Sequence, residues 1–229
     1  MAGADGRGTE SPTGGRRHGI SMNDHYYTRV PQSESKPVGC EYIYRGISLS
    51  FQTDAGVFSK GEVDTGTRLL LEALPEEMKG DILDLGCGWG VIGISIARKW
   101  PETKVTMADV NTRALDLSRE NAKRNKAEVT CVESDGMAAV AGRTFDAVVT
   151  NPPIRAGKQV IYQMFADAAK SLKPGGALYL VIRKQQGAES CMKYLQTLYS
   201  SVEKLDKSGG FWVLKAMNNS EFRIQNSEL

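Results

Sequence analysis

Two kinds of stretch in this sequence carry residue types whose spacing could do chemistry: glycine-rich turns with nearby acids, and a proline-stiffened amide. The first turn is Asp84-Leu-Gly86-Cys-Gly88-Trp-Gly90-Val-Ile-Gly93. Glycines at 86, 88 and 90 permit a tight turn and let a ligand lie against bare backbone. A helix that follows presents unpaired N–H groups to a carboxylate or phosphate. Gly88, Gly90 and Gly93 also satisfy the G-x-G-x-x-G spacing of dinucleotide sites. Asp109 lies 19 residues past Gly90, where an acid would grip a ribose diol in either class of nucleotide. In Ser134-Asp135-Gly136-Met137, a carboxylate could accept a hydrogen bond from an adenine amino group while the backbone after it reads the ring edge. The alternative for Asp135 is a turn or helix cap.

The amide stands in Asn151-Pro152-Pro153-Ile154. A residue before proline is pushed out of the α region, and prolines have fixed φ and no N–H. The loop is expected to be extended, stiff and unable to satisfy itself internally, offering an amide side chain and bare carbonyls. Such acceptors suit a planar exocyclic amine, whose two N–H groups need partners that hold its nitrogen toward an electrophile. Asn151 and the Pro152 carbonyl are the expected catalytic acceptors.

Together the 84–90 turn, Asp109, Asp135 and the 151–154 loop resemble a class I S-adenosylmethionine-dependent methyltransferase of the N-P-P group. Members of that group methylate nitrogen on adenine, guanine or glutamine side chains. Three further stretches are similar to the "methyltransferase small" family: Gly56-Val-Phe-Ser-Lys-Gly-Glu-Val-Asp64-Thr-Gly66-Thr-Arg-Leu-Leu-Leu71, Asn151-Pro-Pro-Ile-Arg-Ala-Gly-Lys158 and Lys184-Gln-Gln-Gly-Ala188. That family includes RsmC-type enzymes for guanine N2 of small-subunit ribosomal RNA, and the likeness runs over residues 26–216. It implies S-adenosyl-L-methionine as cofactor. Gly86, Gly88 and the helix start would hold its methionine part, with Asp84 near the ammonium, Asp109 on the ribose, and Asp135, Gly136 and Met137 at the adenine. Phe58, Ser59, Asp64, Gly66 and Thr67 would close over it, with Asn151 beside it. Pro153, Ile154, Arg155 and Lys158 would meet the substrate, and Arg183 and Lys184 could hold flanking phosphates.

Two departures qualify the likeness. RsmC-type enzymes carry a second, degenerate domain at the N-terminus, whereas only a hairpin is expected here. Position 154 is Ile where many N-P-P enzymes place Tyr or Phe to stack on the target, so Phe58 is the candidate replacement. Ribosomal RNA or the small ribosomal subunit is the implied partner.

The elements that must position these residues alternate along the chain. Apolar strands are expected at 82–85, 105–108, 129–132, 145–150, 177–182, 202–205 and 211–215, and amphipathic helices at 68–74, 91–100, 112–125, 159–172 and 188–198. Apolar strands between helices imply a sheet covered on both faces. The fold class is therefore α/β: a Rossmann-like, doubly wound, mostly parallel seven-stranded sheet with an antiparallel edge hairpin. A small β-hairpin at 41–51, turning at Arg45-Gly46, precedes it. Ligands of such sheets bind beyond the carboxyl ends of the strands, where strand order reverses, and the motifs above all follow strands. Arg113, Arg119, Lys123, Arg124 and Lys126, interleaved with Asp116 and Glu120, read as a plain helix exterior.

Composition agrees. The chain has 229 residues, 41% apolar, 24% charged and a formal net charge of +2, which excludes a coiled coil, a disulfide mini-protein and a chain that blankets phosphate by bulk charge. Its four cysteines form no CxxC, and both histidines, His18 and His25, sit in the first 25 residues, so neither metal nor disulfides are expected. No membrane span or secretory signal is evident, which suggests a cytoplasmic protein; oligomeric state is open. The expected organisation is a disordered leader or tag at 1–21, a hairpin extension at 22–58, the catalytic domain at 59–217 and a polar tail at 218–229. Three rival functions accompany this reading: a glutamine-N5 protein methyltransferase, an NAD-binding oxidoreductase built on Gly88–Gly93, and a non-catalytic nucleotide-binding scaffold.

Overall fold

The β-branched and aromatic run around Tyr42 and the run around Leu49 pair as strands because each alternates between buried and exposed side chains. The computed structural model describes residues 36–54 and 61–218; the expectations for Phe58, Ser59, His18, His25, the 1–21 leader and the tail beyond Asn218 lie outside them. Strands β1 (Val38–Tyr44) and β2 (Ile47–Thr53) are antiparallel, with Tyr44 opposite Ile47. Arg45 and Gly46 turn the corner at φ 44° and 83°, the pair of left-handed residues that matches strand twist. Arginine is strained there. Its guanidinium offsets this by donating to the carbonyls of Glu72, Leu74 and Pro75 at 3.1, 2.6 and 2.9 Å, and it lies 5.5 Å from the centroids of both the Tyr44 and Trp100 rings.

The outer edge of β2 is met by side-chain amides. Asn125 exchanges two hydrogen bonds with the backbone of Ser50, at 2.9 and 2.8 Å. Asn121 exchanges two with Gln52, at 2.7 and 2.9 Å, and donates a further one to the Trp89 carbonyl. Two amides one helical turn apart thus imitate a partner strand. Phe51 packs edge-on against Trp89 at 5.2 Å, so the hairpin shares one core with the helices beneath it.

Seven strands form the main sheet: β3 (Gly80–Leu85), β4 (Thr103–Asp109), β5 (Val129–Glu133), β6 (Phe145–Thr150), β7 (Leu172–Arg183), β8 (Ser201–Ser208) and β9 (Phe211–Met217), in the order β5-β4-β3-β6-β7-β9-β8. The first five are parallel, and β9 runs antiparallel to both β7 and β8. Helices α1 (Thr65–Glu72), α2 (Val91–Lys99), α3 (Thr112–Arg124), α4 (Lys158–Ser171) and α5 (Ala188–Leu198) cover it. Two apolar cores result, one centred on Ile82, Ile94 and Val149, the other on Leu83, Phe165 and Leu180.

The element types and the edge hairpin match the sequence reading; several boundaries move. β7 starts five residues before the expected 177, because Leu172 already pairs with Phe145 and the chain then jogs through Gly175 before resuming at Ala177. A Cβ at Gly176 would stand 2.9–3.2 Å from three carbonyl oxygens, so only glycine allows this approach. Lys173 clamps the jog to Asp81 and Asp146 at 2.8 and 2.7 Å. On α3, Arg119 and Lys123 pair with Asp116 and Glu120 on the exposed surface, as expected for a helix exterior. Cys40, Cys87 and Cys191 are buried and Cys131 half-buried, all as free thiols. No described helix is long and apolar enough to cross a membrane.

Candidate active site

Strand order reverses between β3 and β6: from β3 the chain winds outward to β4 and β5, then returns to lay β6 on the other side. A ligand crevice is expected beyond the carboxyl ends of those two strands. Leu85 ends β3 and Thr150 ends β6, and the Thr150 Oγ1 donates to the Leu85 carbonyl at 2.7 Å. The glycine turn and the N-P-P loop therefore leave the sheet side by side.

In the turn, Gly86 N and Cys87 N donate to the Ala108 carbonyl, and Gly88 N donates to Asp109 Oδ2 at 2.8 Å. Gly86 and Gly88 both have positive φ, and a Cβ on either would meet nothing within 4 Å, so bare backbone faces open space. Gly93 is different: a Cβ there would lie 2.6 Å from the Met107 Cγ and Sδ. Its smallness lets α2 sit directly on β4, which accounts for the third glycine of the dinucleotide-like spacing without a dinucleotide.

Beyond β4, Asp109 Oδ1 also accepts from Asn111 N at 2.8 Å, so the acid is fixed at the start of α3. Beyond β5, Ser134 N donates to the Asp109 carbonyl, and Ser134 Oγ links Gly136 O and Ala139 N. Asp135 is left exposed while Met137 is buried.

The N-P-P loop departs from expectation in one respect. Pro153 adopts φ −74° and ψ 77°, an inverse γ-turn, and Ile154 N donates to the Pro152 carbonyl at 2.9 Å. A 3₁₀ turn over Ile154–Ala156 follows. The loop is stiff, but it partly satisfies itself, and the Pro152 carbonyl keeps one lone pair rather than two. Ile154 is half-buried against the second core. Arg155 and Lys158 are exposed, Lys158 lying 5.0 Å from the centroid of the Tyr162 ring. Arg183 stands 4.6 Å from that of Phe211, and Lys184 is exposed beside it.

A cleft of about 1040 Å³ brings together Gly86, Asp109, Asp135, Gly136, Met137, Asn151 and Pro153 on its walls. The amide and the glycine turn thus open onto one space. Asp64, Gly66, Thr67, Asp84, Gly88, Pro152, Ile154, Arg155 and Lys158 are not on those walls. Asp64 instead caps α1, and its carboxylate and the Thr67 hydroxyl accept from Asn151 Nδ2. The cleft also runs farther than the motifs indicate, along Gln159, Gln163 and Asp167 of α4 toward Arg143. The i, i+4 spacing of polar residues on α4 was the available signal for that extension.

Asp84 is fully buried: Oδ2 accepts from Gly93 N at 2.8 Å, and Oδ1 has no partner. Burial, then repulsion from Asp109, pushes its carboxyl up to about 7 against the opposing bond from Gly93. Burial also raises Asp109, against backbone N–H donors, and raises the Cys87 thiol, with both acids adding to the effect. Asp84 and Asp109, one buried and one half-buried, with an orphaned oxygen on the first, suit a cationic ligand. No cluster of three metal-ligating side chains occurs among the described residues.

An open α/β sheet of this strand order, with a glycine turn, acids after the next two strands and a proline-flanked amide on one cleft, defines a class I methyltransferase. A family model, the methyltransferase small domain, matches residues 48–215. The chain belongs to that family and is an S-adenosylmethionine-dependent methyltransferase. It is 42% identical over 198 residues to the "Uncharacterized protein YbxB" of Bacillus subtilis, covering 85% of this chain and 98% of that one. It is 36% identical to the ribosomal RNA large subunit methyltransferase G of Photobacterium profundum, over 75% of this chain and 47% of the other. Among solved structures it is similar to the T. thermophilus 16S rRNA N2 G1207 methyltransferase (RsmC) in complex with AdoMet and guanosine, with a TM-score of 0.74, 28% identity, and 82% of this chain and 52% of that one covered. The chain thus spans about half the length of these two ribosomal RNA methyltransferases. The oxidoreductase and scaffold readings fall away.

Proposed function

We propose that this chain methylates an exocyclic amine of a ribosomal RNA base, guanine N2 of the small subunit, in the cytoplasm. The observation that carries the reading is that Asn151 shares a cleft with Gly86, Asp109 and Asp135. The likeness to a structure holding AdoMet and guanosine supports it.

S-adenosylmethionine, when bound, supplies an electrophilic methyl group. Gly86, Gly88 and the start of α2 hold its methionine end, and the orphaned Asp84 Oδ1 favours its positive charge. Asp109 takes the ribose hydroxyls, and Asp135 with the Gly136–Met137 backbone takes the adenine. Asp64 and Thr67 stand beside Asn151.

The target amine is conjugated and weakly nucleophilic. Its N–H groups donate to Asn151 Oδ1 and to the remaining lone pair of the Pro152 carbonyl, which orients nitrogen and stabilises charge growing on it. Positioning of this kind is worth about 7–11 kcal/mol, so no strong base is needed, and the proton leaves to water. The base must be unpaired or flipped out. Pro153 and Ile154 border it, while Arg155, Lys158, Arg183 and Lys184 hold flanking phosphates.

The test is incubation with labelled S-adenosylmethionine and, separately, deproteinised ribosomal RNA, small subunits, large subunits and total protein, followed by nucleoside and amino-acid analysis. Label in N2-methylguanosine from small-subunit RNA is expected. Label in large-subunit RNA or in protein glutamine would overturn the substrate assignment.

A further inference from the structure

An asparagine amide has two ends of nearly equal shape and opposite hydrogen-bonding sense. Only the oxygen end can accept from a target amine; the flipped amide would set NH2 against NH2. Which end faces the cleft is therefore a chemical requirement of the site, and the chain carries a device that fixes it. Asp64 Oδ1 accepts from Gly66 N at 3.0 Å and Thr67 N at 3.2 Å. The Thr67 hydroxyl donates its single proton to Asp64 Oδ2 at 2.5 Å. With that proton spent, Thr67 Oγ1 can only accept toward Asn151, and the carboxylate can only accept as well. Asn151 must present its NH2 to both, at 3.0 Å to Thr67 Oγ1 and 3.3 and 3.4 Å to the Asp64 oxygens.

We infer that Asp64 and Thr67 are positioning residues that pin the Asn151 amide with its oxygen toward the acceptor, before any substrate arrives. The inference rests on the reading of Asn151 given above. It differs from the expectation that Asp64 and Thr67 serve the cofactor. Every donor in the ladder is aligned one way, from backbone N–H and hydroxyl into Asp64, so reversing the amide would confront its oxygen with acceptors alone. Asp64 is also the N-cap of α1, which gives the first helix of the catalytic fold a reason to begin at this point in space.

The test compares Thr67→Val, Thr67→Ser and Asp64→Ser; the last keeps a helix-capping hydroxyl while removing the carboxylate. Three quantities are read: the Asn151 side-chain NH2 resonances of the cofactor-free protein, assigned by their loss in Asn151→Ala; the dissociation constant for S-adenosylmethionine; and turnover on the best acceptor found. In Thr67→Val and Asp64→Ser the NH2 resonances should move and exchange faster. Turnover number should fall about a hundredfold with the acceptor KM and cofactor affinity held, and Thr67→Ser should restore both resonances and turnover. Unmoved resonances, or a loss of cofactor affinity that parallels the loss of turnover, would overturn the assignment. Should the wild-type protein methylate no ribosomal RNA, the substrate reading fails, while the resonances and the cofactor affinity still decide whether the pin exists.

Discussion

Thr150 and Leu85 are joined across the switch point by a hydrogen bond of 2.7 Å between two fully buried residues. Each is the last residue of its strand, one preceding Asn151 and the other Gly86, so the bond sets the distance between the two motifs. Thr150→Val keeps the shape and strands the Leu85 carbonyl. The unfolding free energy should fall by about 1–3 kcal/mol, with turnover falling further than cofactor affinity. Urea titration and calorimetry measure the two effects, and an unchanged urea midpoint would show that the bond stabilises nothing.

Asn151→Ala should abolish transfer and leave the dissociation constant for S-adenosylmethionine nearly unchanged, since the glycine turn and both acids remain. Asp109→Ala should do the reverse in part, weakening cofactor binding by about 1.5–3 kcal/mol, the worth of a hydrogen bond to a charged group. Isothermal titration of both variants decides. A weakened cofactor in Asn151→Ala would place that amide in the cofactor site.

Asp84 gives stability an unusual slope with pH. Its native carboxyl titrates near 7, whereas in the unfolded chain it would titrate at about 4. Between those values the native state holds a proton that the unfolded state has released, so stability is greatest below the window and declines as pH rises through it. Asp84→Asn should flatten this decline; Asp109, raised in the same direction, should leave a residual slope. Urea midpoints at several pH values between 4 and 8 provide the check, and an unaltered slope would mean that Asp84 is ionised throughout.

Asn121→Ala removes three hydrogen bonds at once and leaves the Gln52 N–H and C=O facing an apolar gap. A loss of about 2–3 kcal/mol is expected. Hydrogen exchange at Gln52 should rise more than exchange at Val148 in the central strand. Equal increases at both would show that the hairpin does not open by itself.

Much of this was readable from residue order. The continuous apolar runs of β3, β6 and β7 marked a covered sheet, and the motifs following them located the crevice. Strand β8 extends past its expected limits on both sides because Ser201, Lys207 and Ser208 are exposed edge residues, which leave no apolar pattern. Proline chemistry foretold a stiff 151–154 loop but not the bond from Ile154 N to the Pro152 carbonyl, which depends on the ψ that Pro153 takes. The link from Asp64 to Asn151 spans 87 residues and exists only because α1 packs beside the end of the sheet; no local pattern encodes it. Asn121 offered a weak sign, since asparagine in a helix interior runs against propensity; Asn125, the residue that caps the end of α3, offered none.

Asn121 and Asn125, in and just after α3, also bear on how this protein behaves among copies of itself. A two-stranded ribbon at a surface ordinarily offers a pair of open borders onto which another chain can zip by strand addition. Here the border along β2 is already occupied by amides from the same molecule, so such growth cannot begin there.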